Sequence, residues 1–590
     1  MKLGNYVLGS WHEGTDEGKP LFHAITGEKV ATATSAGLNF GDILHYGRTK
    51  GGQALRKMTF QERGLMLKAL ALHLMTKKKS YYELSWATGA TKVDSWIDIE
   101  GGIGNLFANA SLRKQFPDLP YYVDGEAAPL SKGGSFIGHH IMVPKQGVAV
   151  HINAFNFPVW GMLEKVAVNL MAGVPAVVKP AEQTCYLTAL MVEEIIKSGI
   201  VPEGALQLIS GQGQGLLDHV DMQDVVTFTG SAFTGKKLKN HPNITEHSVP
   251  FTMEADSLNS TVLGEDAVPG TPEFDLFIKE VRKEITVKCG QKCTAIRRII
   301  VPEKLVEDVS KALSKALAKT TIGDPDNETV RMGALINKKQ VEVVEANIEA
   351  LKKSSQVVYE NKDFDVVGAD KTKGSFIAPT LLLNESPLES DDVHTIEAFG
   401  PVSTILPYNG IDEAIAISKK GLGSLCSSIV TADDQLAKKY VIGAAAYHGR
   451  ILALNMDSAK ESTGHGSPMP LLTHGGPGRA GGGEEMGGKR GVFHYMQRCA
   501  VQGHPTTVTE VSNVYQYGGK YKEDIAHPFS KHWEELEIGE TLITAKRTII
   551  EADIVNFANV SWDHFYAHTD ATSLDGTIFE QRVAHGYFIL

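Results

Sequence analysis

Cysteine is scarce in this chain, with five in 590 residues. No pair shows zinc-type spacing backed by histidines, so neither a disulfide framework nor a metal site is expected. Long hydrophobic runs are missing as well. The most apolar stretch, residues 166–178, is interrupted by Asn169, Gly173 and Pro175 and falls short of the roughly 20 residues a bilayer span needs. It reads as a buried helix followed by a strand, and no membrane partner is expected. The opening residues have no apolar core leading to a small-residue cleavage site, so a secretory signal is not expected. Positive charge is also in deficit. Lys and Arg number 58 against 69 Asp and Glu, for a net charge of -11 and a pI near 6.0. That balance argues against a nucleic-acid partner, which needs clustered cations. The short run Lys77-Lys78-Lys79 reads as a solvated helix end. A reducing, cytoplasmic setting fits these absences.

What is present suits a soluble enzyme of several folding units. The 42% apolar and 22% charged fractions are ordinary for a globular protein, and the length exceeds what one core organises. Between His151 and Glu254, short β-branched runs alternate with helical ones. This is a βαβ array, and it predicts a parallel, doubly wound sheet binding ligands at its strand ends. A second α/β region follows from about residue 260 to 424. Residues 473–488 are dense in glycine, consistent with either a flexible linker or a structured, glycine-bent loop around Arg479, Glu484 and Glu485. A polar connector at 504–530 precedes a new unit opening at 533–536. Within it, Thr548 and Glu551 suggest a capping box for a helix through Asn556 and Phe557.

The chemistry concentrates at Gly290-Gln291-Lys292-Cys293-Thr294-Ala295, read with Phe251-Thr252-Met253-Glu254 and Phe228-Thr229-Gly230-Ser231. A cysteine on a glycine-preceded turn, with a carboxylate to handle protons, suits addition to an aldehyde. The resulting adduct gives up hydride to a nicotinamide, and the thioester left on sulfur is hydrolysed by activated water. Cys293 is the candidate nucleophile and Glu254 the candidate base.

With Asn156-Phe157-Pro158, Lys179-Pro180-Ala181-Glu182, Gly230-Ser231-Ala232-Phe233-Thr234-Gly235 and Glu397-Ala398-Phe399-Gly400-Pro401 in order, residues 1–515 resemble the aldehyde dehydrogenase superfamily. The resemblance implies an α/β aldehyde dehydrogenase fold, with a doubly wound nucleotide-binding domain mainly in 1–260 and an α/β catalytic domain mainly in 261–455. It further implies that Asn156 supplies an oxyanion donor together with the nucleophile's own N–H. Lys179 and Glu182 would hold the adenosine ribose. Gly230, Ser231 and Gly235 would let the pyrophosphate approach free N–H groups at a helix N-terminus. Glu397 would hold the nicotinamide ribose, and Phe399 would pack near the ring. The cofactor is NAD or NADP, since an acid at 182 suits a free 2′-hydroxyl while Lys179 accepts either. A homo-oligomer is implied too. Asn455 and the loop around Arg479 match the family's late segment, with no chemistry assigned. Cys289, four residues before Cys293, is either a packing residue or a partner that captures Cys293 on oxidation.

Asp563-His564-Phe565-Tyr566-Ala567-His568, followed by His585-Gly586, resembles the MaoC-like enoyl-CoA hydratases. The resemblance implies that residues 530–590 form the first part of an α+β hot-dog domain in which Asp563 and His568 activate a water. Trp562 stands where that family has glycine, and the chain reaches Leu590 at the start of the expected central helix. An incomplete hydratase half is therefore expected. The two-domain combination is similar to the bifunctional ring-opening enzymes of phenylacetate catabolism. This implies hydrolysis of oxepin-CoA and NAD(P)-dependent oxidation of the resulting CoA-thioester aldehyde. A dehydrogenase with an inactive hydratase remnant is the alternative.

Overall fold

The computed structural model describes residues 2–483, 487–520, 548–579 and 581–589. The expected unit start at 533–536, and Glu484 and Glu485 of the glycine loop, lie outside the described residues. Two compact units are present: Met1–Ala128 with Gly138–Val501, and Pro129–Ile137 with Gln502–Leu590.

In the first unit, short apolar and β-branched runs build a seven-stranded sheet. β1 (Asn5–Val7) and β2 (Ser10–His12) are its antiparallel edge. β3 (Ala149–Ile152), β4 (Ala176–Lys179), β5 (Leu206–Leu208), β6 (Val225–Thr229) and β7 (Phe251–Glu254) run parallel, in the spatial order β7-β6-β3-β4-β5-β1-β2. The order reverses between β3 and β6, which opens a crevice at their carboxyl ends. Phe228 pairs with both Met253 and Ile152, and Thr229 with Glu254. The three strands thus end at one level, so Asn156, Gly230 and Glu254 all issue from the same rim.

Helix α1 (Lys92–Ser111) crosses α2 (Pro158–Ala172) where Gly101 and Gly102 leave room for Trp160; a Cβ on Gly102 would sit 3.0 Å from the Trp160 backbone. α2 is buried along almost its whole length. α3 (Cys185–Lys197) and α4 (Ala232–Lys239) continue the winding. Residues 166–178 are indeed helix followed by strand, and among the described residues no helix is long and apolar enough to cross a membrane.

Four residues after β7, the chain enters a second seven-stranded sheet. Its members are β8 (Asn259–Leu263), β9 (Ile296–Pro302), β10 (Gln356–Glu360), β11 (Thr380–Leu383), β12 (Val402–Tyr408), β13 (Ser424–Val430) and β14 (His448–Leu454). The order is β10-β11-β12-β9-β8-β13-β14, parallel except for β10. α5 (Pro272–Thr286), α6 (Val306–Leu317) and α7 (Lys338–Leu351) cover its faces through apolar stripes such as Val309, Leu313 and Leu317. Residues 473–483 of the glycine loop take the structured alternative. Ala480 accepts from Ala255 N at 3.0 Å, Arg479 N donates to Leu422, and Gly475, Gly478, Gly481 and Gly482 occupy positive φ.

In the second unit, α8 (Glu551–Ser561) contains Asn556 and Phe557 as expected. Its start corrects the sequence reading. The cap is Ile550, whose N–H donates to Asp553 Oδ2 at 3.1 Å, so the helix begins two residues later than a Thr548 cap would place it. Asp553 occupies the position from which a carboxylate reaches back to the cap N–H, and Glu551 does not.

Candidate active site

The Cys293 turn lies between α5 and β9. Lys288, Cys289 and Gly290 stand consecutively at φ +53°, +53° and +67°, a left-handed run that side chains resist. Outside contacts hold it there. Lys288 N donates to Asp94 Oδ1 at 2.7 Å, and Lys288 Nζ to Thr88 Oγ1 at 2.7 Å. Arg297 donates to the carbonyls of Gly290 (2.7 Å) and Gly400 (2.6 Å), tying the turn to the Glu397–Pro401 segment. Gly290 is required, because a Cβ there would overlap the Gly400 carbonyl. Asn259, the first residue of β8, donates to the carbonyls of Cys293 (2.8 Å) and Ala295 (3.0 Å).

Cys293 is half-buried and stands close enough to the Glu254 carboxylate for each to shift the other's proton affinity. Burial and the neighbouring negative charge of Glu254 push the Cys293 thiol well above its ordinary range, so the sulfur keeps its proton. Burial also pushes the Glu254 carboxyl up. The His474 imidazole and the Lys165 ammonium outweigh it and hold the group low, at about 2. Cys289 is 1% exposed, in a core with Val262, Ile300 and Leu335, and burial raises its thiol. That environment matches the packing alternative.

Two features here escaped the sequence reading. Lys165 and Glu164 lie buried in α2, with Nζ 3.3 Å from Glu164 Oε1 and 2.9 Å from Thr229 Oγ1, while Trp160 Nε1 donates to Glu164 Oε2 at 2.7 Å. A charged pair inside an apolar helical run was the available signal, because buried charges need partners. His474 Nε2 lies 3.0 Å from Glu254 Oε2, both residues 3% exposed. Nothing in the glycine-rich sequence marked it.

The expected cofactor residues line the rim and its approaches. Glu397 Oε1 is buried without a hydrogen-bond partner among the described residues, and the Arg297 Nε beside it, at 3.9 Å, is unpartnered as well. Burial raises the Glu397 carboxyl to about 7, with Arg297 opposing. Phe399 stands edge-on to Phe155, ring centroids 5.9 Å apart. Just after β3, both polar atoms of the buried Asn153 side-chain amide, Nδ2 and Oδ1, lack hydrogen-bond partners among the described residues. These orphaned polar atoms, in the crevice where the sheet order reverses, fit a polar dinucleotide. Lys179 ends β4, where burial lowers its pKa against the pull of Glu182. Glu182 pairs with Lys19 at 3.4 Å. Ser231 caps α4 by accepting from Thr234 N at 3.3 Å, and Ala232 N donates to Asp256 Oδ1 at 2.9 Å. The amides expected to face a pyrophosphate are thus partly engaged. Gly235 lets α4 lie against Met253 and Phe228.

In the second unit, Asp563, His568 and His585 converge, with a potential ligand atom from each lying within 4.8 Å of the others. The two imidazoles stack at 3.7 Å. His568 Nδ1 bonds to the Val583 carbonyl (2.6 Å) and His585 Nε2 to the Asp563 carbonyl (2.8 Å). Trp562 takes φ +59° with its side chain 86% exposed. Its bulk faces solvent, and the left-handed backbone is one that glycine adopts without cost.

The family model described as aldehyde dehydrogenase family matches residues 11–501, and that described as MaoC like domain matches 534–590. The 3,4-dehydroadipyl-CoA semialdehyde dehydrogenase of Aromatoleum evansii is 42% identical over 479 residues, covering 81% of this chain and 93% of the relative. Protein MaoC of Klebsiella aerogenes is 49% identical over 259 residues, 44% of this chain and 76% of the relative. The NAD+ complex of an aldehyde dehydrogenase from Bacillus cereus shares the fold, with a TM-score of 0.74 at 21% identity over 85% of this chain and 97% of that one.

Proposed function

This chain belongs to the aldehyde dehydrogenase family and carries a MaoC-like domain behind it, and on that premise we propose that it opens a cyclic CoA thioester and oxidises the aldehyde released. The substrate class is a CoA-thioester semialdehyde, with oxepin-CoA as the ring compound and 3-oxo-5,6-dehydrosuberyl-CoA semialdehyde as the aldehyde. The observation that carries the dehydrogenase reading is the Cys293 thiol beside the buried Glu254 carboxylate, on a turn held by Asn259 and Arg297. The Aromatoleum evansii relative is a CoA-semialdehyde dehydrogenase by name, which supports the substrate class.

Cys293 passes its proton to Glu254 as its sulfur adds to the aldehyde carbon. Asn156 and the Cys293 N–H donate to the oxygen that becomes negative. NAD or NADP, when bound against Glu397, Phe399, Lys179, Glu182, Gly230, Ser231 and Gly235, supplies the hydride acceptor. Lys19 and Lys179 add positive charge beside Glu182, which suits a 2′-phosphate as well as a free hydroxyl. Glu254, once its proton has left, takes one from the water that adds to the Cys293 thioester, and the acid departs as the thiol is restored. In the second unit, Asp563 and His568 activate the water that opens the ring. The protein acts in the cytoplasm as a homo-oligomer, without a nucleic-acid or membrane partner.

The test supplies purified protein with oxepin-CoA and an equal mixture of NAD and NADP while reduced cofactor is followed. Reduction is expected. Oxidation of the open-chain semialdehyde without reduction from oxepin-CoA leaves a dehydrogenase alone, and failure with both substrates overturns the proposal.

A further inference from the structure

His474 is a buried titratable side chain in a loop to which no chemistry was assigned, and its two ring nitrogens have opposite duties. Nε2 lies 3.0 Å from Glu254 Oε2. Nδ1 lies 3.2 Å from an Nη1 of Arg450, on β14. A guanidinium is always charged and only donates, so Nδ1 must accept and carries no proton. The ring proton therefore sits on Nε2 and is donated to Glu254. Burial opposes a charged imidazole at this site, and Glu254 favours one, for a net upward pull. Arg450 decides against it, because a protonated Nδ1 would turn its N–H on the guanidinium.

The surroundings explain why such a clamp is needed. The acceptor atoms of Glu164, Glu254 and His474 all lie within 4.8 Å of one another. Two carboxylates this close, both buried, need a cation or an N–H donor beside each of them. Lys165 answers from one side, bonded to Glu164 and Thr229, and the His474 N–H answers from another. The backbone holds the ring in place. A Cβ on Gly449 would overlap the Gly475 carbonyl, and one on Gly476 would overlap the Ser424 carbonyl. The loop bearing His474 is thereby pressed against the strand bearing Arg450.

We propose that His474, its tautomer set by Arg450, is a positioning residue that donates to Glu254 and keeps that carboxylate facing Cys293 as a proton acceptor. His474 does not carry the proton onward, since Arg450 occupies the nitrogen through which it would leave. This rests on the dehydrogenase reading, with Cys293 as nucleophile and Glu254 as base.

The test compares full-length wild type, His474→Phe, His474→Gln and Arg450→Met. Two readouts are followed from pH 3 to 9: aldehyde oxidation with NAD, read as the acid formed, and alkylation of Cys293 by iodoacetamide located by peptide mass. In His474→Phe, the acid limb of both profiles is expected to move up by about one pH unit or more. Its kcat at pH 7 should fall roughly tenfold or more with KM within about threefold. Gln presents an N–H near the Nε2 position and is expected to keep the wild-type limb. Arg450→Met frees Nδ1 to bind a proton and is expected to add to both profiles an imidazole ionisation that wild type lacks. The proposal is overturned if His474→Phe folds like wild type and both limbs stay in place, or if Gln behaves as Phe does. Failure of wild type to oxidise any aldehyde would sink the dehydrogenase reading instead, and the alkylation profiles would still report on the clamp.

Discussion

Glu397 shows how far burial moves a single side chain from its ordinary chemistry. Its carboxyl is buried beside Arg297, with Oε1 unpartnered among the described residues, and burial raises it to about 7. Because the folded value lies above the unfolded one, this group's stabilising contribution is present below about pH 4.5 and is lost as pH rises through about 7. In cofactor-free protein, Glu397→Gln is expected to reduce the stability lost between pH 5 and 7.5 by up to about 3 kcal/mol, read from urea midpoints at the two pH values. Asp98, also raised to about 7 by burial, titrates in the same window, so the comparison is made between variant and wild type. The sequence motif located Glu397, but its burial beside Arg297 came from the fold.

Among elements, α2 carries the most of the site, and its start is built by a neighbour. Pro158 stands at its first position and Phe157 gives no side-chain cap. The cap comes from α1, where Asp98 Oδ1 accepts from Val159 N at 3.0 Å and from Trp160 N at 2.8 Å. That carboxylate also faces the positive end of the helix. Asp98→Ala leaves two buried N–H groups without an acceptor and is expected to cost about 2–4 kcal/mol. It should also lower kcat by loosening the turn that holds Asn156. Denaturant midpoints and steady-state rates check both, and Asp98→Asn, keeping one acceptor oxygen, should cost less. The helix itself was legible from its apolar run and proline. Its cap was not, because the capping residue lies about 60 positions upstream, and capping motifs read only local sequence.

At the scale of the whole molecule, two chemistries share one chain with separate residue sets. Cys293→Ser is expected to abolish aldehyde oxidation by at least about a thousandfold while ring opening of oxepin-CoA continues. Asp563→Asn is expected to do the reverse. Loss of the ring chromophore is followed with oxepin-CoA, and cofactor reduction is followed separately with the open-chain semialdehyde supplied directly; loss of both activities in either variant would contradict independent sites. The Trp562 backbone stands at φ +59° and the residue is 86% exposed, beside the convergence of Asp563, His568 and His585.

The order of motifs along the sequence was enough to determine the doubly wound sheet and to single out Cys293, Glu254, Asp563 and His568 as candidates. Each of these depends on local spacing: hydrophobic period, glycine at a tight turn, and a short run before a helix. Tertiary structure alone decided which groups surround the base. Glu254, His474 and Arg450 come from β7, the glycine loop and β14, up to 220 residues apart. Their juxtaposition arises where the parallel strands of two sheets end and a loop returns across them. Hydrogen-bond direction, and with it the protonation of each group, is set by that meeting and by the exclusion of water around it, neither of which leaves a periodic trace in the sequence.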